Sequence, residues 1–170
     1  MTKCIAIAAI TLDGKIALDA AHFSDWTSAE DKKFMRSFLD TCDVIVVGNN
    51  TYKTAEGPLG KRNCIILTSS VAATERRSDK LLLWNPTTAP FESVAGQYKT
   101  AAILGGAKTY SYFLQNNLLD ELYLTVEPIA FGRGVALFEH PVGDPAHFKL
   151  LSMEKLNENS AVLLHYEIVR

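Results

Sequence analysis

The apolar residues of this chain fall in short blocks separated by helical patterns, and that alternation restricts the fold more than any other feature. The blocks at residues 4–11, 43–48, 63–68, 80–84 and 100–104 are each of strand length and rich in Val, Ile, Leu or Ala. Such blocks are expected where helices cover both faces of a parallel sheet. Helical patterns occupy residues 29–40 and 107–116, and shorter helices are expected after Asn50 and after Pro90. Strand–helix alternation of this kind predicts a mostly parallel sheet with crossover helices. The last third differs. Residues 121–127, 148–156 and 161–169 read as strands, and only the polar stretch 155–160 separates the last two. An antiparallel hairpin at the sheet edge follows. The expectation is one α/β domain over residues 1–170, with a mainly parallel central sheet flanked by helices.

Composition removes several functional classes. The formal net charge of -2 gives no electrostatic reason to expect nucleic acid or an anionic membrane as partner. No run approaches the roughly 20 apolar residues of a membrane helix. The apolar start is stopped by Asp13-Gly14-Lys15 and reads as a first buried strand rather than a leader. Cys4, Cys42 and Cys64 lie far apart in or beside apolar runs, without a C-x-x-C pair. They read as buried, reduced thiols in a cytoplasmic protein. His22, His140, His147 and His165 are scattered, so no metal site is expected.

Three strand ends carry ligand chemistry. At Leu104-Gly105-Gly106-Ala107-Lys108-Thr109 a buried strand meets paired glycines and a helix start. There the backbone can approach a ligand closely, and free N–H groups face a phosphate. The same segment can equally be a tight strand-to-helix turn; it is neither a G-x-G-x-x-G fingerprint nor a P-loop. Gly48-Asn49-Asn50-Thr51 repeats the strand-to-helix step, with N-capping by Asn or Thr as its plain alternative. Thr68-Ser69-Ser70 follows a third strand. Ligands of open α/β sheets bind outside the carboxyl ends of the strands, so three such turns on one rim suggest an extended cofactor.

The helix after Trp26 supplies a candidate proton donor. Phe34, Met35, Phe38 and Leu39 form its apolar stripe; Asp31 falls near the middle of that stripe and Glu30 at its border. A buried carboxyl has a raised pKa suited to general-acid work. Thr27-x-x-Glu30 and Ser28-x-x-Asp31 also have the spacing of N-terminal capping, so capping and catalysis both remain open. Arg76-Arg77 can pair with a phosphate or simply be solvated in a polar loop.

Taken in order, these segments resemble the dihydrofolate-reductase-like superfamily. They are most similar to the reductase domain at the C-terminus of the bacterial riboflavin-biosynthesis deaminase-reductase. The matching stretches are residues 11–17 (TLDGKIA), 24–28 (SDWTS), 43–51 (DVIVVGNNT), 104–107 (LGGA), 118–124 (LLDELYL) and the P-x-x-x-G-x-G loop at 128–134. They cover nearly the whole chain. The deaminase half with its zinc motif is absent, which implies a stand-alone reductase.

The resemblance implies the three-layer dihydrofolate-reductase-like fold and NADPH as cofactor. The cofactor would be held by Ala9, Trp26, Asn49, Asn50, Thr51, Thr68, Ser69, Ser70, Gly105, Gly106, Ala107, Lys108 and Thr109. The glycine pair implies a cis Gly-Gly peptide. The substrate, a small pyrimidine or pterin, would meet Ser24, Asp31, Leu59 and Arg62. Asp31 takes the place of the catalytic acid when Trp26 anchors the match; Glu30 takes it when Phe34 does. A homodimer is implied, and the uncovered hairpin edge is a physical reason to expect one.

Three departures concern the ribose-phosphate subsite. Leu39 stands where riboflavin reductases carry Arg, Leu104 where they carry an acid before the glycines, and Ala55 where they carry Asp, unless a shift of one residue brings in Glu56. Three functions are therefore expected in turn: reduction of the aminopyrimidine ribose phosphate, reduction of a dihydropterin such as dihydrofolate, or NADPH binding without catalysis.

Overall fold

The fold is that of a computed structural model, which describes residues 1–22, 24–139 and 144–170, with the backbone alone at Ser24. The chain runs β1 (Lys3–Ile10), β2 (Lys15–Ala17), α1 (Ala29–Leu39), β3 (Val44–Gly48), α2 (Asn49–Leu59), β4 (Cys64–Leu67), β5 (Thr74–Ser78) and β6 (Leu81–Trp84). It continues through α3 (Phe91–Ala95), β7 (Thr100–Ile103), α4 (Ala107–Gln115), β8 (Glu121–Val126), β9 (Val135–Ala136), β10 (His147–Lys155) and β11 (Val162–Val169). A single 3-10 turn, Ser24–Trp26, precedes α1.

Among the described residues, nine strands form one sheet in the order β10-β11-β8-β1-β7-β3-β4-β6-β5, and β2 pairs separately with β9. The centre, β8-β1-β7-β3-β4-β6, is parallel. The antiparallel pairs lie towards the edges: β10 with β11, β11 with β8, and β5 with β6. The expected α/β sheet with its C-terminal hairpin is present.

Alternation along each strand divides the core in two, because successive side chains point to opposite faces. Val44 and Val46 join Trp84, Phe91, Phe113 and Leu114 on the face covered by α3 and α4. Ile45 and Val47 join Leu39, Tyr52, Leu59 and Ile66 under α1 and α2. Right-handed crossovers require this split: the connections through α1 and α2 step one way across the sheet, and those through α3 and α4 step back. Burial of Val44, Val46, Ile45 and Val47 to 1% exposure or less makes β3 the hydrophobic axis of the domain.

Two details depart from the sequence reading. The segment containing Arg76 and Arg77 is a strand, β5, rather than a loop; all five of its residues are exposed and it pairs only with β6. A strand outside the core needs no apolar alternation, so it left no hydrophobic signal. Cys4 and Cys64 are buried as expected, whereas Cys42 is only half-buried.

Candidate active site

The central parallel strands all end on one edge, which places the Gly48–Thr51, Thr68–Ser70 and Gly105–Thr109 turns along a common rim. β1 pairs with β7 only from Lys3–Thr100 to Ala6–Ile103, then runs on to Ile10 beside β8 alone. Ala9 therefore faces Thr125 on one side and has no strand partner on the β7 side. The two strands part where the paired glycines begin.

Those glycines form the rim's tightest feature. The Gly105–Gly106 peptide is cis, as the resemblance implied, and Gly105 has φ of +90°. A Cβ on Gly105 would lie 3.0 Å from the Tyr110 ring. Gly48 N–H donates to the Gly105 carbonyl at 2.7 Å, and a Cβ on Gly48 would lie 3.0 Å from Thr109 Oγ1. The starts of α2 and α4 are thus locked side by side. Each helix has a glycine N-cap, Gly48 and Gly106, and neither receives a side-chain cap. Capping by Asn49, Asn50 or Thr51, the plain alternative for that turn, is absent. Helix N-termini in this state offer N–H groups and a positive dipole end to an anion. Further along, Thr68 Oγ1 accepts from Ser70 N–H at 3.2 Å and donates to Ser70 Oγ at 3.0 Å, shaping the turn after β4. Ala107 and Thr109 are buried and Lys108 is exposed.

On the other side of the opening, the start of α1 presents Asp31, 7% exposed. Thr27 and Thr125 hydroxyls hydrogen-bond its carboxylate, yet burial outweighs them and holds the carboxyl above the usual carboxylate range, helped by the charge of Glu127. Glu30 points away: it is exposed and accepts from Asn157 Nδ2 at 3.3 Å. The choice between the two acids thus falls to Asp31, and Glu30 is not at the site. The capping alternative is half true. Ser28 caps α1 by accepting from Asp31 N–H at 3.3 Å, while the Asp31 carboxylate does not return the contact.

Trp26 closes this corner. Its indole meets Phe131 edge-on with centroids 5.2 Å apart, and its Nε1 is buried with no hydrogen-bond partner among the described residues. An unmet buried N–H is costly enough to mark a place where a ligand or water acceptor belongs. Phe131 is held by Asp13, whose carboxylate accepts from Phe131 N–H at 3.0 Å and Gly132 N–H at 2.8 Å. With Thr11 Oγ1 donating at 2.6 Å, these bonds pull the Asp13 carboxyl down to about 2.

Two expected substrate contacts are elsewhere. Leu59 is 3% exposed in the α1/α2 core. Arg62 precedes β4, at the opposite edge of the sheet, and pairs with Asp40 at 2.6 Å. A parallel strand has its two ends on opposite rims, so a residue ahead of β4 cannot join the turn that follows it. Ser24 lies outside the described side chains. Neither Arg76 nor Arg77 turns to the rim: Arg76 donates to the Ser78 and Asp79 carbonyls, and Arg77 pairs with Glu75.

The sequence reading missed Thr125, Glu127 and Tyr110. Tyr110 donates from its hydroxyl to the Ile7 carbonyl at 2.6 Å, is buried, and feels the Asp31 charge. A signal for the first two existed: period-two alternation puts Thr125 and Glu127 on the side of Tyr123, which packs on Phe34 and Phe38 of α1.

A family model described as dihydrofolate reductase matches residues 3–170. The chain belongs to the dihydrofolate reductase family. A curated relative, the uncharacterized protein YwjB of Bacillus subtilis, is 26% identical over 96% of this chain and 97% of its own length. Solved folds agree. A pyrimidine reductase-like protein from Corynebacterium diphtheriae is 17% identical at a TM-score of 0.78, covering 99% of this chain and 92% of that one. The Thermotoga maritima diaminohydroxyphosphoribosylaminopyrimidine deaminase/5-amino-6-(5-phosphoribosylamino)uracil reductase is 19% identical at 0.72, over 99% of this chain and 57% of that one. Dihydrofolate reductase from Enterococcus faecalis, complexed with NADP(H), is 19% identical at 0.70, over 99% and 97%. The family's fold is thus shared both by riboflavin-pathway pyrimidine reductases and by dihydrofolate reductase.

Proposed function

We propose that this chain is an NADPH-dependent reductase of a small pyrimidine- or pterin-type ring, with Asp31 as its acid. The observation that carries the reading is the Asp31 carboxyl, buried beside the rim, held by two threonine hydroxyls and raised in pKa by burial. The rim suits a dinucleotide: two uncapped helix N-termini lie side by side, and a Cβ on Gly48 would crowd Thr109 of the opposite helix. Thr51, Gly105, Gly106, Ala107 and Thr109 would hold its phosphates, with Asn49 and Asn50 beside them. Thr68, Ser69 and Ser70 would meet the adenosine end, and Ala9 and Trp26 the nicotinamide. The likeness to a protein complexed with NADP(H) supports the same choice. When bound, NADPH supplies a hydride from C4 of its nicotinamide.

The protein's own contribution is then placement and a proton. Holding donor and acceptor carbons in register can supply ~7–11 kcal/mol. Asp31, with its carboxyl protonated further toward neutrality than an exposed acid, can hold the N–H edge of the ring and aid protonation next to the carbon that receives hydride. Expected for Asp31→Asn is a fall in kcat of about 100-fold or more near neutral pH, with NADPH affinity nearly intact. Equal turnover by the two proteins would remove Asp31 from the mechanism. Saturable NADPH binding without turnover of either a dihydropterin or an aminopyrimidine ribose phosphate would favour a binding module instead.

Ring reduction, as of a dihydropterin, is the chemistry Asp31 favours. A riboflavin-type reading, with hydride delivered to the ribosyl C1′ of an aminopyrimidine ribose phosphate, is favoured by the likeness to the pyrimidine reductases. NADPH oxidation with dihydrofolate against 5-amino-6-(5-phosphoribosylamino)uracil separates the two. Self-association belongs to the same proposal: β10 is a sheet edge bearing exposed Leu150, Leu151 and Met153. Edge pairing between two copies would cover it. Light scattering should return twice the chain mass, and a monomer would refute the pairing.

A further inference from the structure

Glu127 is a carboxylate that no part of the proposed chemistry uses, yet it is 5% exposed. It follows β8 directly and is fixed by its backbone, its N–H donating to the Ile10 carbonyl at 2.9 Å. One of its oxygens, Oε1, accepts from both Ser28 N–H at 2.7 Å and Ser28 Oγ at 2.6 Å. Ser28 is the N-cap of α1, and Asp31 is the third residue of that helix.

In an ordinary capping box the acid at this third position reaches back to the N-cap N–H while the N-cap hydroxyl accepts from its amide. Here the second half is made, because Ser28 Oγ accepts from Asp31 N–H. The first half is made by a residue 99 positions away. We propose that Glu127 is a positioning residue for the acid: by occupying both donors of Ser28 it keeps the Asp31 carboxyl from closing the capping box and leaves it turned to Thr27 and Thr125. A helix that capped itself in the common way would spend its acid on its own first turn. This inference rests on the reading of Asp31 as the site's acid.

A second effect comes from charge. Groups facing Asp31 include Glu127 from the end of β8, Tyr110 from α4 and Lys32 from its own helix, with the Thr27 and Thr125 hydroxyls in contact. Of these, Glu127 is the anion, and a neighbouring anion disfavours ionisation of a carboxyl. Glu127 therefore keeps Asp31 both free and reluctant to ionise.

The test follows Asp31 itself by carboxyl carbon-13 titration in the full chain, beside the pH profile of kcat. Glu127→Gln keeps an oxygen for Ser28 and removes the charge. The Asp31 titration and the alkaline limb of kcat should both move to lower pH by about half a unit or more. Glu127→Ala releases the Ser28 donors, and Asp31 should titrate lower still, with kcat down about ten-fold and NADPH affinity unchanged. An unchanged Asp31 titration in both variants, whatever happens to thermal stability, would reduce Glu127 to a helix cap and overturn the proposal. The titration needs no turnover. If Asp31→Asn stays active while Glu127→Ala still moves the Asp31 titration further than Glu127→Gln does, the catalytic reading fails and the positioning one stands.

Discussion

The two edges of the central sheet are built from the same strands and treat their polar groups in opposite ways. At the edge where the parallel strands begin, most of the carboxylates and both of the arginines described there are answered from within the chain. Asp43 accepts from Lys99 N–H, Thr100 N–H and Thr100 Oγ1 through a single oxygen, and is pulled below the usual carboxylate range by those bonds. Arg62 pairs with Asp40, Arg170 with Asp120, and Glu121 with both Lys3 and His165. At the edge where the strands end, α2 and α4 begin without side-chain caps, the Trp26 indole N–H has no partner among the described residues, and Asp31 is buried with a raised pKa. Folding alone gains nothing from leaving helix N-termini and an indole N–H unmet, or from burying a carboxyl. A completed edge holds the sheet together; an incomplete one is shaped for something else to complete it.

The sharpest way to break that contrast is to fill the open edge. Gly105→Ala adds a Cβ 3.0 Å from the Tyr110 ring at a residue with φ of +90°. It should cost about 2 kcal/mol of stability and weaken NADPH binding, read by thermal melts and nicotinamide fluorescence. A variant that melts and binds like the parent would mean that the glycine turn is only a turn. The next effect has the opposite sign. Below the unfolded Asp value of about 3.9 the carboxyl is protonated in both states and contributes nothing. As pH rises from there towards the raised folded value, the unfolded chain ionises more readily, so Asp31 lowers stability progressively. Asp31→Asn should therefore be more stable than the parent at pH 7, by about 0.5–2 kcal/mol, with the gap closing near pH 4. A constant gap across that range would show that the carboxyl is not ionised against its surroundings.

Much of this arrangement was legible in the chain. The blocks giving β1, β3, β4, β6 and β7 were apolar because both faces are covered, and their order dictated which turns share a rim. What was hidden depends on contacts remote in sequence. Whether Asp31 caps its helix or faces the cleft is decided by Glu127, 99 residues beyond Ser28, and no local spacing carries that information. Asp31 and Glu30 differ by about 100° around the helix, too little to separate them without knowing where β8 lies. Arg62 and Leu59 were assigned to the substrate by likeness alone. The topology sets both apart from the strand-end turns, since α2 starts at the open edge and runs back to the closed one. β5 escaped notice because an exposed edge strand can be written in polar residues.

The smallest expected effect is also the one that tests the contrast from the closed side. Arg62 and Asp40 form a close pair, but the Asp40 side chain is 68% exposed and that of Arg62 26%. Exposed pairs of this kind contribute about 0–1 kcal/mol, since water screens the attraction and ordering two long side chains offsets it. Arg62→Met should therefore lower stability by about 0.5 kcal/mol at most. It should leave NADPH affinity and turnover as they were, because a residue before β4 is a strand's length from the turn after it. Steady-state kinetics with a phosphorylated and an unphosphorylated substrate make the comparison strict. A ten-fold loss of kcat/KM confined to the phosphorylated one would place a substrate phosphate at the edge where strands begin. The sheet would then bind ligand at both rims, and the internal pairing of charges at the closed edge would no longer distinguish scaffold from site.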